Sequence, residues 1–179
     1  MENIGAKLDT SKPAAELRKE FEESRSLLSS ALPSGIKITD HFVKTNGAEI
    51  KVREYSPEII GNIYPAVVYF HGGGWVIGSF VSHEAFTGFL SKELKAKVFS
   101  VEYRLAPEHP YPIPLTDCEA AFNWIKDNAI DLGINPNQVI NKEKLLISLK
   151  LIFPDKNFEK EINEKKYFYV KKKYLQKNL

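Results

Sequence analysis

PAVVYFHGGGWVIG, residues 65–78, is the stretch that decides the fold. Ala66 to Phe70 is a continuous apolar run of strand length, with Pro65 before it and glycines after it. Such a run suits a strand buried on both faces of a parallel sheet. Gly72, Gly73 and Gly74 then let the backbone turn without Cβ clashes. Toward the C-terminus, residues 83–95 read as a helix with Phe86, Phe89, Leu90 and Leu94 on its apolar face. Val98 to Val101 reads as a second buried strand. Pro107, Pro110, Pro112 and Pro114 make an irregular loop, and residues 115–130 read as a helix offering Leu115, Ala121, Phe122, Trp124 and Ile125 to the core. Toward the N-terminus, Ile36–Lys44 and Glu49–Tyr55 read as strands joined at Asn46-Gly47, a strong hairpin signal, with Ser56-Pro57 breaking the second. Before them, residues 11–32 read as a helix capped by Ser11, with Pro13 in its first turn and Leu17, Phe21, Leu28 and Leu32 at helical spacing. Pro33-Ser34-Gly35 ends it. The whole predicts an α/β fold: an antiparallel entry hairpin, then parallel strands with right-handed crossover helices.

Composition narrows the classes. The chain has 179 residues, 43% hydrophobic and 27% charged, with a net charge of +2. Collagen-like, mucin-like and fully disordered readings are excluded. One cysteine, Cys118, forbids an internal disulfide and a cysteine-based zinc site, so a reducing, cytoplasmic setting is expected, with no metal and no cofactor. MENIGAKLDT lacks the basic-then-apolar pattern of a secretory signal, and no apolar run reaches the ~18 residues of a membrane span. The small net charge averages two unlike parts. Residues 1–138 hold 14 Lys+Arg against 18 Asp+Glu, and residues 139–179 hold 11 Lys against 5 Asp+Glu. All 10 glycines precede Val139. The expected organisation is an N-terminal cap-helix region (1–35), a partial α/β core (36–138) and a lysine-rich tail (139–179).

The chemistry lies in His71-Gly72-Gly73-Gly74-Trp75. N–H groups at a glycine turn following a strand can be aimed at an oxyanion formed in acyl transfer. The alternatives are a plain glycine turn and a phosphate cradle. A phosphate loop calls for Lys-Ser/Thr after the glycines, whereas Trp75-Val76-Ile77-Gly78 follows here.

VVYFHGGGWVIGSFVSH (67–83), with Ser79, Ser82 and His83 at matching spacing, resembles the signature of the hormone-sensitive-lipase-like (GDXG) esterase family. VEYRLAPEHPYPIPLTDCEAAFNWIKDN (101–128) resembles its next block, and DLGINPN (131–137) its lead-in to the nucleophile strand. The resemblance implies an α/β-hydrolase fold and hydrolysis of small-molecule carboxylic esters. It implies an oxyanion hole of Gly73 and Gly74 N–H groups, with Gly72 shaping the loop. His71 would brace that loop and Trp75 would line the acyl pocket. The helix over 11–32 would cap the substrate, and Tyr103, Arg104 and Glu108 would be buried scaffold for the proline-rich loop. His41, His83 and His109 are expected to be satisfied or surface histidines, and Cys118, beside Asp117 near a helix start, a packed thiol. The strand at 66–70 would lie between the strand at 98–101 and a nucleophile strand starting near Gln138.

The resemblance stops there. Where the family continues into Gly-Asp-Ser-Ala-Gly-Gly, this chain reads INKEKLLISLKLIFPDKNF (140–158). None of the 12 serines, nor Cys118, has glycine two residues to each side, so no member of a Ser-Asp-His triad is identified. The expectation is an esterase chain truncated before its nucleophile elbow and inactive alone, through a frameshift or fusion, the competing view being a selected basic tail. With β-prone LLISLKLIF (145–153) the only substitute strand, the 66–70 edge is expected to make the chain poorly soluble. Two other classes are weighed: a noncatalytic ligand- or partner-binding fragment, and a nucleic-acid or anionic-surface binder through Lys165, Lys166, Lys171, Lys172, Lys173 and Lys177. Glu159, Glu161 and Glu164 interrupt that lysine run, and nucleic-acid binding is not expected.

Overall fold

The structure, a computed structural model, describes residues 11–28, 31–58 and 63–139. Helix α1 (Ala14–Leu28) precedes a hairpin of β1 (Ile36–Thr45) and β2 (Ala48–Pro57). Then come β3 (Tyr64–Phe70), a single 3-10 turn (Val81–His83), α2 (Glu84–Leu94), β4 (Lys97–Glu102), α3 (Ile113–Asp127) and β5 (Ile134–Val139). The five strands form one sheet in the order β1-β2-β4-β3-β5. β2 runs antiparallel to β1 and β4, whereas β3 runs parallel to both β4 and β5. Among the described residues this is the N-terminal portion of the predicted α/β architecture.

The hairpin closes where expected: Thr45 faces Ala48 across Asn46-Gly47, and Gly47 takes φ +76°, as the turn demands. Several other elements differ from expectation. β2 continues through Ser56-Pro57, which face Lys37 and Ile36 on β1, away from β4; proline on that outer stretch costs little. α1 is shorter at both ends. It starts after Pro13, whose carbonyl accepts from the N–H groups of Glu16 and Leu17, and Leu32 lies outside it, before a proline that disfavours helix.

α2 buries Thr87, Gly88, Leu90 and Ser91, while Phe86 and Phe89 are 41% and 36% exposed. The buried polar members are satisfied: Ser91 Oγ donates to the carbonyls of Tyr55 and Ala96. Gly88 lets Leu32 and Pro33 press against the helix, where a Cβ would lie 2.4 Å from Leu32 Cδ1. α3 begins at Ile113 and turns Pro114, Asp117, Cys118, Ala121 and Ile125 inward, leaving Leu115 exposed. β4, not β3, is the most deeply buried strand. One core joins β1, β2, β4, α3 and β5 around Val52, Phe99, Val101, Ile125 and Ile134; a smaller one lies under α2 around Tyr55, Val67, Leu90 and Val98. β5 begins at Ile134, four residues before the expected Gln138, and pairs with β3 at Tyr64 and Ala66. The tail residues beyond Val139 lie outside the described residues.

Candidate functional site: the glycine loop after β3

β3 ends at Phe70 and delivers His71 into a wholly buried position. His71 Nδ1 lies 2.8 Å from the Gly72 carbonyl. A carbonyl only accepts, so Nδ1 is the protonated nitrogen in this contact. The Tyr103 hydroxyl donates to the His71 carbonyl at 2.6 Å, and the two rings stack with centroids 4.2 Å apart. Burial pushes the Tyr103 hydroxyl pKa well up, so it remains a donor.

The three glycines have three different conformations. Gly73 has φ +125° and Gly74 +61°, both in territory that favours glycine. A Cβ at Gly73 would lie 1.9 Å from the Ile77 carbonyl oxygen. The Gly73 carbonyl accepts from Val76 and Ile77 N–H at 3.1 and 3.0 Å, which closes the turn. No described residue accepts from the N–H groups of Gly73 or Gly74. Gly72 has neither a positive φ nor a neighbour within 4 Å of a built Cβ, so the turn itself does not require glycine there. Gly78, which sequence reading passed over, does require it: φ is +93°, and a Cβ would meet Gly72 O at 2.6 Å and His71 Nδ1 at 2.7 Å.

Trp75 packs inward in the main core, 9% exposed and edge-on to Tyr103 at 5.1 Å, rather than forming an open wall. Its carbonyl accepts from Ala106 N–H, tying the glycine loop to the proline-rich loop. Tyr103 is buried as expected and Arg104 half-buried. Arg104 pairs with Asp117, which also accepts from Arg104 N–H and Thr45. Burial opposes the Asp117 charge, but these donors outweigh it and hold the carboxyl below its ordinary range. Glu108 departs from expectation: it is exposed, not buried. Its carboxylate takes a two-pronged bond from Arg18 of α1, which holds its pKa down to about 2.

His41 and His83 are satisfied. His41 bonds Glu54 at 2.8 Å; His83 Nδ1 lies 3.1 Å from Ser82 Oγ and 3.2 Å from the Ser79 carbonyl, and burial lowers its pKa. His109 is half-buried. Cys118 is a buried core thiol past the first turn of α3. Among the described residues no group of His, Cys, Asp and Glu is arranged to hold a metal, and no helix is long and apolar enough to cross a membrane.

A family model described as the alpha/beta hydrolase fold matches residues 67–140, which hold this loop and the β3–β4 pairing from Val67 to Phe70. The carboxylesterase NlhH of Mycobacterium tuberculosis is 40% identical over 105 residues, 58% of this chain and 33% of that protein. An arylesterase of Saccharolobus solfataricus is 36% identical over 126 residues, 69% of this chain and 40% of that protein. The crystal structure of EstE1, a thermostable carboxylesterase from a metagenomic library, superposes with a TM-score of 0.69 at 36% identity, covering 74% of this chain and 45% of that one. The chain has the N-terminal part of an α/β-hydrolase fold and is similar to the hormone-sensitive-lipase-like esterases. It spans between a third and two-fifths of the length of these two curated relatives. In this α/β-hydrolase chain the glycine loop therefore sits at the C-terminal end of a central parallel strand, outside which open α/β sheets place ligands.

Proposed function

We propose that residues 71–78 form the oxyanion-stabilising loop of a carboxylic-ester hydrolase, and that residues 1–179 alone hold the loop without the nucleophile. The observation that carries the reading is the pair of N–H groups on Gly73 and Gly74, held in a positive-φ turn and given to no described acceptor. Fixed donors of this kind stabilise the charge that builds on an ester carbonyl oxygen at attack. His71 and Gly78 hold the loop in shape, and open space beside Gly72 suits close approach of an ester. α1 belongs to the cap, and the setting is cytoplasmic in the same reading.

Grafting residues 66–108 into the mycobacterial carboxylesterase tests it. Turnover of p-nitrophenyl acetate within tenfold of the parent is expected; a fall of about 10²–10³, the usual cost of a lost oxyanion donor, would overturn the assignment. The unfused chain is expected to show no turnover and no serine labelling by a fluorophosphonate.

A further inference from the structure

One guanidinium on α1 holds both loops that build the candidate site. Arg18 Nε donates to the Val76 carbonyl at 2.8 Å, directly after the glycine turn. Arg18 Nη2 donates to the Ala106 carbonyl at 2.8 Å. Ala106 N–H in turn donates to the Trp75 carbonyl at 2.8 Å, so the three contacts close a ring around residues 75, 76 and 106. Glu108 takes the remaining edge of the guanidinium at 2.6 and 2.9 Å. One helical turn on from Arg18, Glu22 accepts from Ser79 Oγ at 2.7 Å. Arg18 and Glu22 are i, i+4 neighbours on one face of α1, and their partners bracket Gly78.

We infer that Arg18 is a positioning residue for the Gly73–Gly74 loop, and that docking of α1 sets the shape of that loop. The inference rests on the oxyanion reading for its functional meaning and on the contacts above for its geometry. A planar fork with fixed donor directions can hold two carbonyls and a carboxylate at once. Lysine offers a point charge that cannot satisfy the same three acceptors in one plane.

The test is amide NMR and hydrogen exchange on the full 179-residue chain, with phenylphosphonate as a tetrahedral oxyanion probe. In Arg18→Ala, Val76, Ile77 and Ala106 amides are expected to exchange at least tenfold faster, with Gly73 and Gly74 resonances displaced and β4 amides unchanged. Glu108→Gln keeps both carbonyl contacts, so exchange is expected within twofold of the parent chain. Arg18→Lys is expected to fall between, and it carries the test if the alanine chain does not fold; a lysine chain identical to the parent would overturn the need for the fork. Arg18→Ala within twofold of the parent, or Glu108→Gln as damaging as Arg18→Ala, overturns the inference. Phenylphosphonate is expected to shift Gly73 and Gly74 amides in the parent chain and at least tenfold more weakly in Arg18→Ala. No shift in the parent chain would sink the oxyanion reading while leaving the exchange result to decide the role of Arg18.

Discussion

At the scale of single residues, three adjacent glycines are three different requirements. Gly72→Ala is expected to change stability by no more than about 0.5 kcal/mol, since its φ is ordinary and its surroundings are open. Gly74→Ala is expected to cost about 1–2 kcal/mol for a left-handed conformation alone. Gly73→Ala adds a backbone collision to a φ of +125° and is expected to cost about 2–4 kcal/mol. Urea midpoints of the three variants check the order; equal losses would mean that the loop does not hold this shape. The run HGGGW announces a glycine turn, but the backbone angles that rank the glycines come from the fold. Gly78 stayed unread because the clash it avoids is with a ring seven residues earlier.

At the scale of elements, polar contacts buried between strands and helices set the pH response. Glu54 on β2 is buried, which would raise its pKa, but bonds from His41, Lys97 and Ser56 outweigh burial and hold it at about 2 against an ordinary 4.5. A depressed carboxylate contributes stability that is full above about pH 4.5 and is lost as pH falls toward 2. The difference corresponds to about 3 kcal/mol, and Glu54→Gln is expected to flatten this acid limb in urea titrations at pH 3 to 6. Glu102 on β4 has the opposite sign. Burial raises its pKa despite the bond from Phe80 N–H, so its contribution is present at low pH and lost as pH rises. Glu102→Gln is expected to raise the urea midpoint at pH 7. Asp117, wholly buried on α3, ties that helix to Arg104 and to Thr45 of β1. Asp117→Ala, leaving Arg104 unpaired, is expected to cost about 3–5 kcal/mol of thermal or urea stability. Hydrophobic periodicity places α2 correctly, and Leu90 and Leu94 turn inward as expected, but Phe86 and Phe89 stay outside. Its inward face is Thr87, Gly88 and Ser91 beside Leu90, chosen by hydrogen bonds to strand backbone and by close approach of Leu32.

At the scale of the molecule, element order and the parallel core are legible in the sequence because the signals are local: Asn46-Gly47, the 66–70 run and the glycines behind it. The ties across the structure are not, since no local pattern pairs Arg18 with Val76 or Lys97 with the Leu132 carbonyl. The start of β5 is also misplaced by reading alone, because β5 pairs with β3 at Ile134 and again at Val139, with turn-like Asn135-Pro136-Asn137 between the two contacts. Ile134 is 2% exposed within the main core, and Ile134→Ala is expected to cost about 2–4 kcal/mol if β5 is integral to the sheet. A melting curve unchanged by that substitution would remove β5 from the core. The long reach of Arg18 has a consequence for synthesis. Its partners are 58, 88 and 90 residues further along the chain. At roughly 5–20 residues per second, α1 leaves the ribosome on the order of 5–20 s before its full set of acceptors. During that interval the helix carries an unclaimed guanidinium and an apolar stripe of Leu17 and Phe21 in the nascent chain. A helix made well before its acceptors thus reaches its place only once they have followed it out, and nascent-chain chaperones would meet it in that waiting state.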